Sequence, residues 1–226
     1  DLIYEEEPMF HAVHGVAKLT KDGAAVSGDN FSCMEKEDGE LVLSLSDGMG
    51  SGVRACRESE LVLDLLERFI EVGFTKETAI KLLNSAMVIC GEDEGYSTVD
   101  ITSVNLYTGE TDFYKIGASA TFIRHEDRRV ECLVSTSLPV GAAVEVEIEQ
   151  AKKQLANGDF LVMVTDGVLE YLQTERPEEV LEEIISDIHT NHPKLLAKKI
   201  LEKVMEYTKG EVQDDMTVLA AAIWEN

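Results

Sequence analysis

The chain has 226 residues, 44% hydrophobic and 28% charged, the mix of an ordinary globular protein rather than a disordered or fibrous one. Its 44 acidic against 20 basic side chains give a formal charge of −24, which argues against nucleic acid as a partner and suits divalent cations or a basic protein. The longest apolar runs, 41–45 and 160–164, are strand-sized and far short of the roughly 20 residues that span a bilayer.

Short strands come first, over 11–19, 30–35 and 41–46, separated by the turn-like Lys21-Asp22-Gly23 and Glu37-Asp38-Gly39. A helix is predicted over 52–72, with Val62, Leu66 and Phe69 on one stripe and Leu61, Leu65 and Ile70 widening it; Gly73 ends it. Thr75 can cap a second helix carrying Ala79, Leu82, Leu83, Ala86 and Met87 at helical spacing. A β-meander is expected over 99–106, 111–116, 120–124 and 130–135. Two further strands, 144–150 and 159–164, flank Ala156-Asn157-Gly158. Pro177 and Pro193 each open a helix, and a closing strand runs over 216–223. Hairpin-length connections make the sheets antiparallel, so the expected class is α+β: an antiparallel β-sandwich flanked by helical pairs on both faces, in four αββα layers. No repeat or linker divides the chain, so residues 1–226 are expected to form one domain. Because the chain opens on Asp1, that domain is expected to be a fragment of a longer protein, cytoplasmic, with any membrane tether in a region outside this chain.

Cys33, Cys56, Cys90 and Cys132 form no C-x-x-C pair, so neither a zinc knuckle nor a thioredoxin-like motif is present; they read as reduced core thiols. Four acidic positions stand out instead. Asp29 opens the second strand in Gly28-Asp29-Asn30. Asp47 follows the apolar run ending in Ser46 and leads into Gly48-Met49-Gly50. Asp166-Gly167 follows the run 160–165, and Asp214-Asp215 precedes Met216-Thr217-Val218-Leu219. One Asp-Gly pair is an ordinary turn. Four carboxylates at the ends of buried strands are not, since unpaired buried charge is costly and converging carboxylates repel unless a cation neutralises them. Oxygen-only donors favour the hard ions Mg²⁺ or Mn²⁺, and no calcium-loop spacing is present.

These motifs in this order, Gly28-Asp29, Asp47-Gly48-Met49-Gly50-Ser51-Gly52, Thr165-Asp166-Gly167 and Asp214-Asp215-Met216-Thr217, resemble metal-dependent serine/threonine phosphatases of the protein phosphatase 2C type. Ser46-Asp47-Gly48-Met49-Gly50-Ser51-Gly52 and Leu138-Pro139-Val140-Gly141 are most similar to the branch containing the phosphatase domain of stage II sporulation protein E. The resemblance covers nearly the whole chain and implies the same αββα fold.

It further implies two Mn²⁺ or Mg²⁺ ions. Asp47 would bridge them, the Gly48 carbonyl would help hold one, Asp29 would face the second, and Asp166 with Asp214 would hold the first. The choice between Asp214 and Asp215 stays open. Asp47 and Asp166 would be the catalytic residues, and water would hydrolyse phosphoserine directly. The implied substrate is a phosphorylated anti-sigma-factor antagonist, and the helices over 52–88, with the surplus stripe of Leu61 and Leu65, would form a switch and a homodimer surface. Two departures matter. Met49 stands where many relatives carry a proton-donating His, and Ala24-Ala25-Val26-Ser27-Gly28 lacks the Arg that often precedes the first acidic ligand. An inactive metal-binding regulatory module and a non-enzymatic acidic interaction domain are the competing readings. His11 and His14 alternate on the first strand, either near the site or as ordinary strand positions.

Overall fold

The computed structural model describes residues 7–90, 95–207 and 212–226, Cys90 by its backbone alone. Strands β1 (Phe10–Leu19), β2 (Asp29–Glu35) and β3 (Glu40–Asp47) lead into helices α1 (Val53–Glu71) and α2 (Lys76–Cys90). Then come β4 (Val99–Asn105), β5 (Glu110–Ile116), β6 (Thr121–Arg124), β7 (Val130–Leu133), β8 (Glu149–Gln154) and β9 (Phe160–Val164). Helices α3 (Asp166–Glu170), α4 (Pro177–Asp187) and α5 (Pro193–Tyr207) precede the last strand, β10 (Met216–Glu225).

All ladders are antiparallel. One sheet has the order β1-β10-β9-β6-β7, the other β2-β3-β4-β5-β8. Three apolar layers hold the four structural layers together. Leu43, Leu45, Phe113, Leu161, Met163 and Leu219 fill the space between the sheets. Val62, Leu66, Ile70, Ile80 and Leu83 seat α1 and α2 on the outer face of the second sheet. Leu181, Ile185, Leu196, Ile200 and Val204 seat α4 and α5 on the first. This is the expected α+β, αββα sandwich.

Local signals act as their chemistry dictates. The Thr78 amide donates to Thr75 Oγ1 at 3.3 Å, capping α2. Gly73, at φ +93°, closes α1, with its amide on the Ile70 carbonyl and that of Phe74 on Phe69. Pro177 and Pro193 are the first residues of their helices.

Three expectations need correction. The meander is split: β4 and β5 stay in one sheet, whereas Gly117, at φ +61°, turns the chain so that β6 and β7 join the other beside β9. The strand expected over 144–150 lies at Glu149–Gln154; the apolar residues before it have other work. Val146 and Ile148 pack on the outer core under α2, and Val144 is 81% exposed. The short helix α3 goes unmarked by any periodic pattern. Of the surplus α1 stripe, Leu61 is exposed while Leu65 packs against the core.

Candidate metal centre

The four acidic motifs meet at one end of the sandwich. Asp29 and Asp47 are directly paired across β2 and β3. Asp166 opens α3 as the chain leaves β9, and Asp214 stands just before β10, two strands that are themselves neighbours. Two glycines permit the close approach. A Cβ on Gly48 would lie 2.1 Å from the Ala55 carbonyl oxygen of α1, and one on Gly167 would lie 2.1 Å from the Asp215 carbonyl oxygen.

Asp47 lines a cavity of about 290 Å³, together with Gly48, Met49, Ser97, Asp166 and Asp214. Among the described residues, no Lys, Arg or His lines it. The Asp47 amide donates to Thr98 Oγ1, and the Asp47 carbonyl accepts from Ser97 Oγ at 2.7 Å and the Thr98 amide at 2.9 Å, so its backbone is fixed from β4's side. Burial, then the nearby Asp29 and Asp166, push the Asp47 carboxyl far above the usual carboxylate range. Burial likewise raises Asp29, against the lowering effect of hydroxyls from Thr217 and Thr165. Asp214 is raised chiefly by burial, and Glu170 by burial and then by Asp166 and Asp214.

Asp29 is 1% exposed and lies behind the open cavity. Its Oδ2 accepts from Thr165 Oγ1 at 2.9 Å and Thr217 Oγ1 at 2.6 Å, while its buried Oδ1 has no protein partner. The two consecutive aspartates before β10 differ sharply. Asp215 is 2% exposed, and its two oxygens accept the amides of Lys21 at 2.8 Å and Gly28 at 2.6 Å, tying down the β1–β2 connection. Asp214 lines the cavity beside Asp166 and Asp47.

Among the described residues, no three acidic, His or Cys side chains stand pre-set at metal-ligand geometry. The donor set nonetheless fits a hard cation. Carboxylates crowd together with no basic side chain on the cavity wall among the described residues, Asp29 keeps an unpartnered oxygen, and every donor is oxygen.

The sequence reading missed the residues that support these carboxylates: Ser97, Thr98, Thr165 and Thr217, whose hydroxyls fix Asp47 and Asp29. It also missed Lys18, whose Nζ donates to the Asp29 carbonyl at 2.8 Å. Thr165 and Thr217 lie within the motifs Thr165-Asp166-Gly167 and Asp214-Asp215-Met216-Thr217, but that their hydroxyls reach Asp29 shows only in the fold. Lys18 lies in no such motif. His11 and His14 are exposed and lie toward the other end of β1, where His11 Nδ1 meets Asn226 Oδ1. A larger hollow of about 590 Å³, lined by Arg124, Arg128, Phe160, His189 and Trp224, lies at that far end of the sheet, away from the acidic site. There the Arg124 guanidinium is committed to the carbonyls of Ile188 and Thr190.

The model of the family "Stage II sporulation protein E (SpoIIE)" matches residues 37–224. Stage II sporulation protein E of Priestia megaterium is 36% identical over 213 residues, covering 94% of this chain and 36% of that protein. The Bacillus subtilis protein of the same name is 35% identical, covering 94% of this chain and 26% of its own length. The chain thus spans well under half of either relative. The crystal structure of the PP2C phosphatase domain and a fragment of the regulatory domain of SpoIIE from Bacillus subtilis superposes with a TM-score of 0.89 at 33% identity, covering 97% of this chain and 66% of that one.

Proposed function

The chain belongs to the stage II sporulation protein E family, and from that premise we propose that it is a metal-dependent protein serine phosphatase domain. The observation that carries the reading is Asp47, held at the end of β3 against Asp29 and Asp166 in a cavity that no described basic side chain lines. Asp47, with the Gly48 carbonyl, Asp29, Asp166 and Asp214, would hold two Mn²⁺ or Mg²⁺ ions. When bound, such ions supply a nucleophile from water at neutral pH and screen phosphoryl charge.

The chain's own residues do the rest. Ser97 and Thr98 fix the Asp47 backbone, and Thr165 and Thr217 orient the Asp29 carboxylate. Met49, 45% exposed on the cavity wall, has no proton to give, so the leaving serine oxygen takes its proton from water. Among the described residues no cysteine lines the cavity, and the reading is direct hydrolysis rather than a covalent intermediate.

The Bacillus subtilis relative named "Phosphoserine phosphatase RsbX", 30% identical over 68% of this chain and 73% of its own length, supports phosphoserine as the substrate class. The substrate on this reading is a phosphorylated anti-sigma-factor antagonist, met in the cytoplasm. No described helix is long and apolar enough to cross a membrane. Exposed Val53 and Leu61 on α1, with Val88 and Ile89 on α2, are the surface for a second copy of the chain, and Leu61→Glu tests that by sedimentation.

The decisive experiment measures phosphate release from a phosphoserine protein against Mn²⁺ concentration, for this chain and Asp47→Asn. Metal-dependent release lost in the variant is expected. Metal-dependent stabilisation without release would point to an inactive regulatory module, for which Met49 gives some ground. No response to metal would overturn the reading.

A further inference from the structure

At the site end of the β2-β3-β4-β5-β8 sheet, Asp47 on β3 is paired with Asp29 on β2. On the other side Thr98 stands beside Asp47, and Asp100 on β4, opposite Leu45, lies two residues further along the same face of the sheet.

The carboxylates of Asp29 and Asp100 are built alike. Asp29 has Oδ2 tied to hydroxyls from the opposite sheet and Oδ1 without a protein partner. Asp100, 2% exposed, has Oδ2 tied to Lys115 Nζ at 2.6 Å and to Thr121 Oγ1, again from the opposite sheet, at 2.6 Å; its Oδ1 also has no partner. Lys115 in turn donates to Thr121 Oγ1 at 2.9 Å and is 3% exposed. Beside Asp100, Ser119 Oγ is a second buried atom without a partner.

Asp100 and Ser119 share a small cavity with Asp47 and Asp166, of about 20 Å³, room for a single water. A buried ion pair is expensive to desolvate and is weak evidence for stability, so its place one step behind the acidic centre calls for another account. Paired with Lys115 at one oxygen, Asp100 keeps the other as a buried acceptor without a protein partner, on a residue that lines the cavity.

We propose that Asp100 is a positioning residue of the metal centre: Asp100 Oδ1 and Ser119 Oγ hold a water in this cavity, and that water orients the carboxylates of Asp47 and Asp166 toward the ion. Lys115 and Thr121 fix Asp100 for that task. The inference rests on the phosphatase reading above. Supporting groups of this kind commonly change metal affinity 10- to 100-fold when removed.

The test is Asp100→Asn/Lys115→Met, which removes both charges together and leaves neither unpaired in the core. The Mn²⁺ concentration for half-maximal thermal stabilisation is measured beside that for phosphate release. The expected result is a metal-free melting temperature near the parent's and a Mn²⁺ requirement raised on the order of 10-fold or more in both assays. Ser119→Ala, which leaves the ion pair whole, is expected to raise the requirement in the same direction, and it carries the test should the double variant fail to fold. A Mn²⁺ requirement unchanged in the folded variants would overturn the positioning role and leave the phosphatase reading standing. If the parent itself shows no stabilisation by Mn²⁺, or Asp47→Asn retains it, both readings fall together.

Discussion

Gly48 is the position where a single methyl group would report most directly on how the fold builds the site. Its Cβ would lie 2.1 Å from the Ala55 carbonyl oxygen, 2.8 Å from the carbonyl carbon and 3.0 Å from Cα. A carbon resting on a carbonyl oxygen keeps about 3.3 Å, so roughly 1.2 Å must be found. All three atoms are backbone, and no rotamer can relieve the clash. The first turn of α1 would have to lift, yet it is held by Ser59 Oγ on the Gly28 carbonyl and by the buried Val62, Leu66 and Ile70.

Overpacking of this kind costs about 1–3 kcal/mol or more. For a chain of this size that lowers the melting temperature by roughly 2–12 °C. Because the Gly48 carbonyl is a proposed ligand, Gly48→Ala is also expected to raise the Mn²⁺ needed for half-maximal stabilisation. Gly50→Ala is the control. Gly50, at φ +86°, has nothing within 4 Å of its would-be Cβ, so the cost is about 1–2 kcal/mol of backbone strain with no push on α1. Thermal melts with and without Mn²⁺ read both variants. Gly48→Ala melting like the parent, with the same Mn²⁺ dependence, would refute the claim that α1 sets the position of this carbonyl.

Three further expectations follow from the same carboxylates. Asp47→Asn relieves repulsion with Asp29 and Asp166, so the metal-free protein should melt higher than the parent while losing its response to Mn²⁺; a lower metal-free melting temperature would contradict the crowding argument. Asp29 and Asp47 hold their protons more tightly folded than unfolded, so the stability they contribute is full at low pH and lost as pH rises through their raised values. The metal-free melting temperature should therefore fall between about pH 5 and pH 8, and saturating Mn²⁺ should flatten that fall. Glu40 and Glu131, pulled down to about 2, act only in more acidic solution, so a melting temperature that rises across the neutral window would exclude the assignment. Asp214→Ala and Asp215→Ala should separate cleanly. The first should cost metal response with little stability. The second leaves the amides of Lys21 and Gly28 without their acceptor and should cost on the order of 2–4 kcal/mol, measured by denaturant unfolding.

The register of the motifs explains how much of this was legible. Asp-Gly pairs after the apolar runs of β3 and β9 are visible because a strand too apolar for the surface cannot end in a solvent turn without consequence, and the paired positions of Asp29 and Asp47 bear on the same site. The longer helices were equally plain, since buried positions such as Val62, Leu66 and Ile70 recur at helical spacing. Asp100 and Lys18 were invisible. Each lies inside a strand of mixed polarity with no flanking glycine, and its significance depends on which strand lies beside it.

Sequence by itself determined most of the elements, the antiparallel character of the sheets, the layered class and the acidic motifs, because these rest on local periodicity, turn chemistry and the cost of burying charge. Tertiary structure alone decided the rest. It moved β6 and β7 into the other sheet through the turn at Gly117, and set Asp215 apart from Asp214 by giving it two amides to hold. It also brought hydroxyls from one sheet onto carboxylates of the other, at Asp29 and at Asp100. Those outcomes turn on contacts between residues up to 194 positions apart in the chain, and the energy of a buried carboxylate depends on such neighbours rather than on the residues beside it in sequence.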